Sequence, residues 1–271
     1  MSVDPGAERG HKLDGKVAVV TGAGSSGPGV GTGKAISVLF GREGARLVLV
    51  DNVPDRAAET RALVQAEGAE ATVVAVDLAE PSSGGRVIDE AVARFGGVDI
   101  LVNNAAIPSS TGILDTSPDL YQQILAVNLT APFMLTRAAL PVLLERGGGA
   151  IVNIVSIAAL RGQGGRGQTA YAVSKAGLIG LMVDVADTFG KHGVRVNCIA
   201  PGIIDTPMRA AAARQAGLDP ATLDLGYKTA LGIEGDAWDI ARSALFLAGP
   251  DGRYITGVVL PVDGGTTAMS R

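Results

Sequence analysis

Short apolar runs separated by helical patterns recur along nearly all of this 271-residue chain, and that alternation narrows the folds open to it more than any other feature. The strand candidates are Val17–Val20, Leu47–Val50, Thr72–Val76, Ile100–Val102, Ala150–Val155, Arg195–Ile199 and Val258–Val262. Most are unbroken in apolarity, as strands covered on both faces are in a parallel sheet. Between the first two, Ile36, Leu39 and Phe40 recur at helical spacing, and Gly41 or Gly44 can end that helix. The stretch from Asp55 to Glu67 sets Ala57, Leu63 and Val64 on a polar background, and Ser117-Pro118 reads as an N-cap with proline at the first helical position. Repeated strand–helix units joined by right-handed crossovers predict an α/β, doubly wound fold with a seven-stranded parallel sheet and helices on both faces. No linker or internal repeat divides the chain, so residues 13–271 are expected to form a single domain behind a flexible N-terminal tail of residues 1–12. The segment from Ile204 to Asp236 breaks the rhythm with Pro207, Pro220 and the run Ala210–Ala213. It is too long for an ordinary connection, and it reads either as a substrate lid or as a surface insertion.

Composition removes several classes of function. A 47% apolar share in a chain of this length fills a core without disulfide or metal staples. The net charge of −4 and the lack of a basic stripe argue against a nucleic-acid partner. A single cysteine, Cys198, excludes an intramolecular disulfide; lying in the apolar run from Val194 to Ile199, it reads as a buried structural thiol. His11 and His192 make no metal-ligand spacing, and no metal site is expected. The polar start from Met1 to Lys12 is no signal peptide, and no run is expected to reach the roughly 18 to 20 uncharged apolar residues of a membrane helix. A cytoplasmic protein with no membrane partner is the expectation.

The first strand runs into Thr21-Gly22-Ala23-Gly24-Ser25-Ser26-Gly27-Pro28-Gly29-Val30-Gly31-Thr32-Gly33, directly before a helical pattern. Glycine lets backbone approach a pyrophosphate, and a helix N-terminus supplies free N–H groups and a positive dipole end. That placement raises Gly22, Gly31, Thr32 and Gly33 to candidate cofactor contacts. Asp51 ends the second strand 18 residues beyond Gly33, near the spacing of an acid that binds ribose hydroxyls. A carboxylate there accepts from the 2′-OH and 3′-OH and repels a 2′-phosphate, which favours NAD over NADP; a solvated turn aspartate is the alternative. Asp77 and Leu78 follow the third strand and face the expected ligand crevice. Asn103 and Asn104 end the fourth, where an amide either touches cofactor or holds a structural turn.

Tyr171 and Lys175 stand four apart and share one face if helical. An isolated tyrosine, with its pKa near ~10, is too weak a base at neutral pH. A neighbouring ammonium favours the phenolate and moves the group toward acid/base use. Ser156, at the end of the fifth strand, is placed to hold a substrate oxygen. Asn128 lies in a helical pattern that it weakens, which suggests either a local distortion with bound water or a buried structural amide.

Taken together, these residues resemble the short-chain dehydrogenase/reductase family from about Lys16 to Gly265. The matching motifs are Thr21-Gly22, Asp77, Asn103-Asn104-Ala105, Asn128, Ser156, Tyr171 with Lys175, Pro201-Gly202 and Val262-Asp263-Gly264-Gly265. The resemblance implies a Rossmann fold and a catalytic tetrad of Asn128, Ser156, Tyr171 and Lys175. In it the tyrosine exchanges the proton, the serine orients the carbonyl, the lysine binds the nicotinamide ribose and lowers the tyrosine pKa, and the asparagine supports a proton-relay water. It places Pro201, Gly202 and Ile204 beside the nicotinamide and Thr206 near its carboxamide. It also implies a homotetramer built on the helices near 119–146 and 170–190. Three departures stand out: eight residues separate Gly22 from Gly31, more than the family pattern; Ala106 replaces a glycine; and Ser156 and Tyr171 are 15 apart, slightly long.

The expected activity is therefore hydride transfer between NAD(H) and a secondary alcohol or ketone. Two rivals are a non-catalytic dinucleotide-binding sensor or structural subunit, and a sugar-nucleotide epimerase or dehydratase. Met208, Leu218, Leu223, Leu225 and Tyr227 suggest an apolar pocket for the small-molecule substrate, or else packing of the lid. Arg161 or Arg166 either touches a polar substrate group or lies in a solvated loop.

Overall fold

The computed structural model describes residues 11–162, 167–215, 219–220 and 229–270. Strands β1 (Val17–Thr21), β2 (Arg46–Asp51), β3 (Ala71–Ala75), β4 (Ile100–Asn103), β5 (Gly149–Ile154), β6 (Val194–Pro201) and β9 (Val259–Val262) form one seven-stranded sheet in the order β3-β2-β1-β4-β5-β6-β9. Every pair is parallel. All seven expected strands are present, with ends shifted by a residue or two. The apolar runs of β1, β2, β4, β5 and β6 are covered on both faces. By contrast β3 and β9 are the sheet edges, and their side chains are only partly buried.

The α-helices among the described residues are α1 (Thr32–Arg42), α2 (Pro54–Ala66), α3 (Ser83–Phe95), α4 (Pro118–Leu125), α5 (Ala131–Glu145), α6 (Thr169–Phe189), α7 (Pro207–Gln215) and α8 (Ala237–Ala248). One core lies where Ile36, Leu39 and Phe40 of α1 meet Ile240, Ala241 and Ala244 of α8 over one face of the sheet. On the other face, Val87 and Ile88 of α3, Leu135 and Leu143 of α5, and Leu178 and Met182 of α6 make a second core. Burying two apolar stripes on opposite faces is what holds a parallel sheet between its helices. The Ser117 hydroxyl accepts from Leu120 N–H at 3.2 Å and caps α4, with Pro118 at its first position. Gly44, not Gly41, follows the end of α1; Gly41 stays inside it, against Val64.

Two features differ from expectation. The stretches Pro118–Glu145 and Thr169–His192 are long and apolar enough, by length and composition, to cross a membrane. Here their apolar faces belong to the second core. The irregular segment that begins at Ile204 is pinched at its base: β7 (Ile204–Asp205) pairs with β8 (Gly235–Asp236) in a separate two-stranded ladder. Arg209 strengthens that base, donating to Glu234 at 2.9 Å and to Asp205 at 3.4 Å.

Candidate active site

The sheet order reverses direction between β1 and β4, and the crevice at such a switch point is where ligands bind in doubly wound sheets. Here the strand ends are laced together. Thr21 Oγ1 accepts from the N–H groups of Asn104 at 3.0 Å and Ala105 at 3.1 Å. The Asn104 amide donates to the carbonyls of Thr21 at 2.9 Å and Gly22 at 3.0 Å. Gly22 turns with φ +62°, a conformation that favours glycine, and a side chain on it would stand 2.9 Å from the Ala105 backbone. A Cβ on Gly33 would come within 2.0 Å of the Gly22 carbonyl oxygen. Gly33 is therefore required for α1 to pack its first turn onto the strand end.

The loop between them is tied at both ends. Gly31 N–H donates to Ser25 Oγ at 2.8 Å. The Asp51 carboxylate accepts from Gly24 N–H and from Val53 N–H, both at 3.0 Å. A cavity of about 320 Å³ lies against this loop, and Gly22, Gly31, Thr32, Gly33, Asp51, Asp77, Leu78 and Asn104 all border it. Gly24 and Arg56 border it too. Arg56 packs so closely on Gly24 that a Cβ there would meet the Arg56 Cβ at 2.5 Å. Asp77 Oδ1 accepts from Ala79 N–H at 2.9 Å, an aspartate-stabilised turn at the rim. A glycine turn in which Gly22, Gly24 and Gly33 leave no space for a side chain, a helix start with no acid in its first turn and a carboxylate at the far end are a donor set and shape that fit a dinucleotide.

A second cavity, of about 280 Å³, adjoins the first; Thr32, Asn104 and Thr206 border both. Ser156, Tyr171, Lys175, Pro201, Gly202 and Ile204 line it. Ser156 leaves β5, and its Oγ accepts from Ala158 N–H at 3.1 Å, which leaves the hydroxyl proton to donate elsewhere. Tyr171 and Lys175 lie one turn apart on α6. Lys175 is only 1% exposed; its Nζ donates to the Ile154 carbonyl at 2.7 Å and lies 5.7 Å from the centre of the Tyr171 ring.

The charges of this pair run against the simple expectation. Burial pushes the Tyr171 phenol up to about 12, while a hydrogen bond with Ser156 works to lower it. Burial pushes Lys175 down to about 8, and Cys198 works to raise it. Desolvation of the hydroxyl end thus outweighs the Ser156 hydrogen bond, and at neutral pH Tyr171 is a phenol beside a mostly protonated lysine.

Asn128 borders neither cavity. It is fully buried in a single π-helical turn, Ala126–Thr130, between α4 and α5, so a local distortion and a buried amide occur together there. Its Oδ1 accepts from Ile107 N–H at 2.8 Å, and its Nδ2 donates to the Ile107 carbonyl at 3.0 Å and to Ser174 Oγ at 3.2 Å. The amide clamps the loop after β4 onto α6. Asn103 is structural as well, donating to Asn153 Oδ1 at 2.8 Å across the β4–β5 pair. Cys198 is the buried thiol expected, its pKa pushed up to about 12 by burial. Arg161 donates to the Thr266 carbonyl. Met208 borders both cavities. Arg166, Leu218, Leu223, Leu225, Tyr227 and the tail of residues 1–10 lie outside the described residues. Among the described residues, no group of three or more His, Cys, Asp or Glu is placed to hold a metal.

A family model described as Enoyl-(Acyl carrier protein) reductase matches residues 28–267. The 2,5-dichloro-2,5-cyclohexadiene-1,4-diol dehydrogenase LinX of Sphingobium indicum is 36% identical over 256 residues, covering 94% of this chain and 97% of that one. A crystal structure of a short-chain dehydrogenase/reductase from Burkholderia xenovorans superposes with a TM-score of 0.89 at 39% identity, covering 96% of this chain and all of that one, 100%. Carveol dehydrogenase from Mycobacterium avium, solved in complex with NAD, superposes with a TM-score of 0.88 at 28% identity, covering 96% and 100%.

Proposed function

The chain belongs to the short-chain dehydrogenase/reductase family, an oxidoreductase family that uses a nicotinamide cofactor, and from that premise we propose that it moves a hydride between NAD(H) and a secondary alcohol or ketone, with Tyr171 as the acid/base. The observation that carries this reading is the junction of the two cavities. The glycine turn and Asp51 border one, Ser156, Tyr171 and Lys175 border the other, and Thr32, Asn104, Ala106, Thr206 and Met208 form the wall they share.

When bound, the dinucleotide supplies or accepts the hydride. Gly22, Gly31, Thr32 and Gly33 would hold its phosphates, Asp51 its adenosine ribose, Asp77 and Leu78 the adenine side, and Asn104, Pro201, Gly202, Ile204 and Thr206 the nicotinamide side. Asp51 favours NAD over NADP because a fixed carboxylate accepts from ribose hydroxyls and repels a 2′-phosphate. Arg56 borders the same cavity and would attract a 2′-phosphate, so the preference for NAD requires the Asp51 carboxylate to outweigh it.

In the reducing direction the neutral Tyr171 Oη gives its proton to the carbonyl oxygen, and the Ser156 hydroxyl donates to that same oxygen. In the oxidising direction Tyr171 takes the alcohol proton; Lys175, 5.7 Å from the ring centre, favours the phenolate that this requires. Asn128 acts at a distance, through the loop and helix that it clamps. Met208 on the wall supports an apolar substrate of medium size, and two relatives are named for a cyclohexadiene diol and for carveol. The half-exposed Phe133, Val173 and Val183, on α5 and α6, support a homotetramer assembled on those helices.

The test is absorbance at the reduced-nicotinamide band with NAD or NADP and a panel of cyclic and aliphatic alcohols. NAD-dependent turnover that falls by about 10²–10⁴ in Tyr171→Phe, with NAD binding retained, is the expected result. Near-normal turnover in that variant would sink the assignment. Binding by the wild type without turnover on any alcohol or ketone would favour a dinucleotide sensor.

A further inference from the structure

We infer that Gly27, Gly29 and Pro207 are positioning residues that close a strap over the dinucleotide cavity and slow release of the cofactor; this rests on the reading of that cavity given above. The loop between Gly22 and Gly31 is longer than the family pattern, and its extra length has a destination in the fold. Its two ends are fixed, by Gly24 on Asp51 and by Gly31 on Ser25, and Val30 packs against the core beneath α1. The tip between them reaches toward the head of α7. A Cβ built on Gly27 would lie 3.7 Å from Pro207 Cβ, and one on Gly29 would lie 3.6 Å from Pro207 Cγ.

The gap between loop and helix is thus about one methyl group wide. Ser25 and Ser26 from the loop, and Thr206, Pro207 and Met208 from the other side, border one cavity. Pro207 is buried and stands at the first position of α7, where its ring adds rigidity without costing a hydrogen bond. Gly29 has φ +108°, which a side chain rarely adopts, so the tip keeps its approach to Pro207 only with glycine there. A dinucleotide lying between the glycine turn and Asp77 leaves past this contact only when the loop and α7 part.

The geometry yields two effects of opposite sign. Pro207→Ala widens the gap and keeps a residue that helices accept, so release should speed up. Gly27→Ala fills the gap at ordinary contact distance, with no positive φ to oppose it, so release should slow down. The measurement is stopped-flow fluorescence of reduced NAD displaced from the full-length protein by excess NAD. The expected result is a dissociation rate about fivefold to tenfold faster in Pro207→Ala and about twofold to threefold slower in Gly27→Ala, with association nearly unchanged. Pro207→Val, which restores apolar bulk, should return toward the wild-type rate. Dissociation rates unchanged in both variants, or shifted in the same direction, would overturn the strap. Failure of the wild type to bind reduced NAD at all would instead remove the dinucleotide reading beneath it.

Discussion

Replacing Lys175 by methionine should remove activity and at the same time make the protein more stable at neutral pH. Lys175 is an ammonium held in the interior, its pKa pushed down by burial from its ordinary 10.5 to about 8. Below pH 8 both the folded and the unfolded chain carry the charge, and the folded state bears a penalty of about 3 kcal/mol for it. Between pH 8 and 10.5 the unfolded chain binds the proton and the folded one does not, so stability contributed by this site rises with pH through that window. Methionine has similar length and no charge, and lifts the penalty. Against that, the Ile154 carbonyl loses its 2.7 Å bond from Nζ, a loss of about 1 to 2 kcal/mol. The net expectation at pH 7 is a gain of about 1 to 2 kcal/mol, a rise in Tm of roughly 2–8 °C for a chain of this size. Thermal melts of wild type and Lys175→Met at pH 7 and pH 10, without added dinucleotide, read this directly. The advantage of the variant should shrink or reverse at pH 10. A Lys175→Met protein that melts lower than wild type at pH 7, or a difference independent of pH, would refute the argument from desolvation.

Ketone reduction should show kcat/KM falling above about pH 8, as Lys175 loses its proton in the free enzyme, and Lys175→Arg should move that limb upward; a profile flat to pH 9.5 would exclude Lys175 as its source. Asn128→Ala should cost about 2–4 kcal/mol in a chemical melt, since it strips the partners from Ile107 and Ser174; a loss below about 1 kcal/mol would mean the clamp carries no weight. Asp51→Ala should weaken NAD binding at least about tenfold and narrow the preference over NADP, measured by titration calorimetry with each dinucleotide; an unchanged preference would assign the discrimination to another group.

Much of this was legible from residue order because the physics involved is local. The central strands announce themselves as unbroken apolar runs, since both of their faces are buried. The glycine turn and Asp51 are found by where they fall relative to strand and helix. Asn128 is an asparagine where a helix would choose otherwise, and the π-turn is the reason that it fits. The unread parts are those that only tertiary structure decides. A two-residue ladder such as β7–β8 has no period to detect. Arg56 enters the cavity because α2 begins where it does. Spacing predicts that Tyr171 and Lys175 meet, but the sign of the phenol's shift depends on how much water reaches its hydroxyl. Gly33 stands out by its place before α1, yet what requires a glycine there is the Gly22 carbonyl pressed against it.

The β7–β8 ladder has a consequence for how such a protein diversifies. Ile204 and Asp205 meet Gly235 and Asp236 in register, and Arg209 rivets the same spot to Glu234. The chain enters and leaves the intervening segment through one narrow neck, so its two ends stay at a fixed separation whatever lies between. Residues 210–228 can then be treated as a cassette, because Leu231 N–H is already tied to the Gly264 carbonyl at 3.0 Å and belongs to the frame. Transplanting the corresponding segment from a relative, cut at this neck, should exchange substrate preference while the sheet, the glycine turn and Tyr171 are inherited intact.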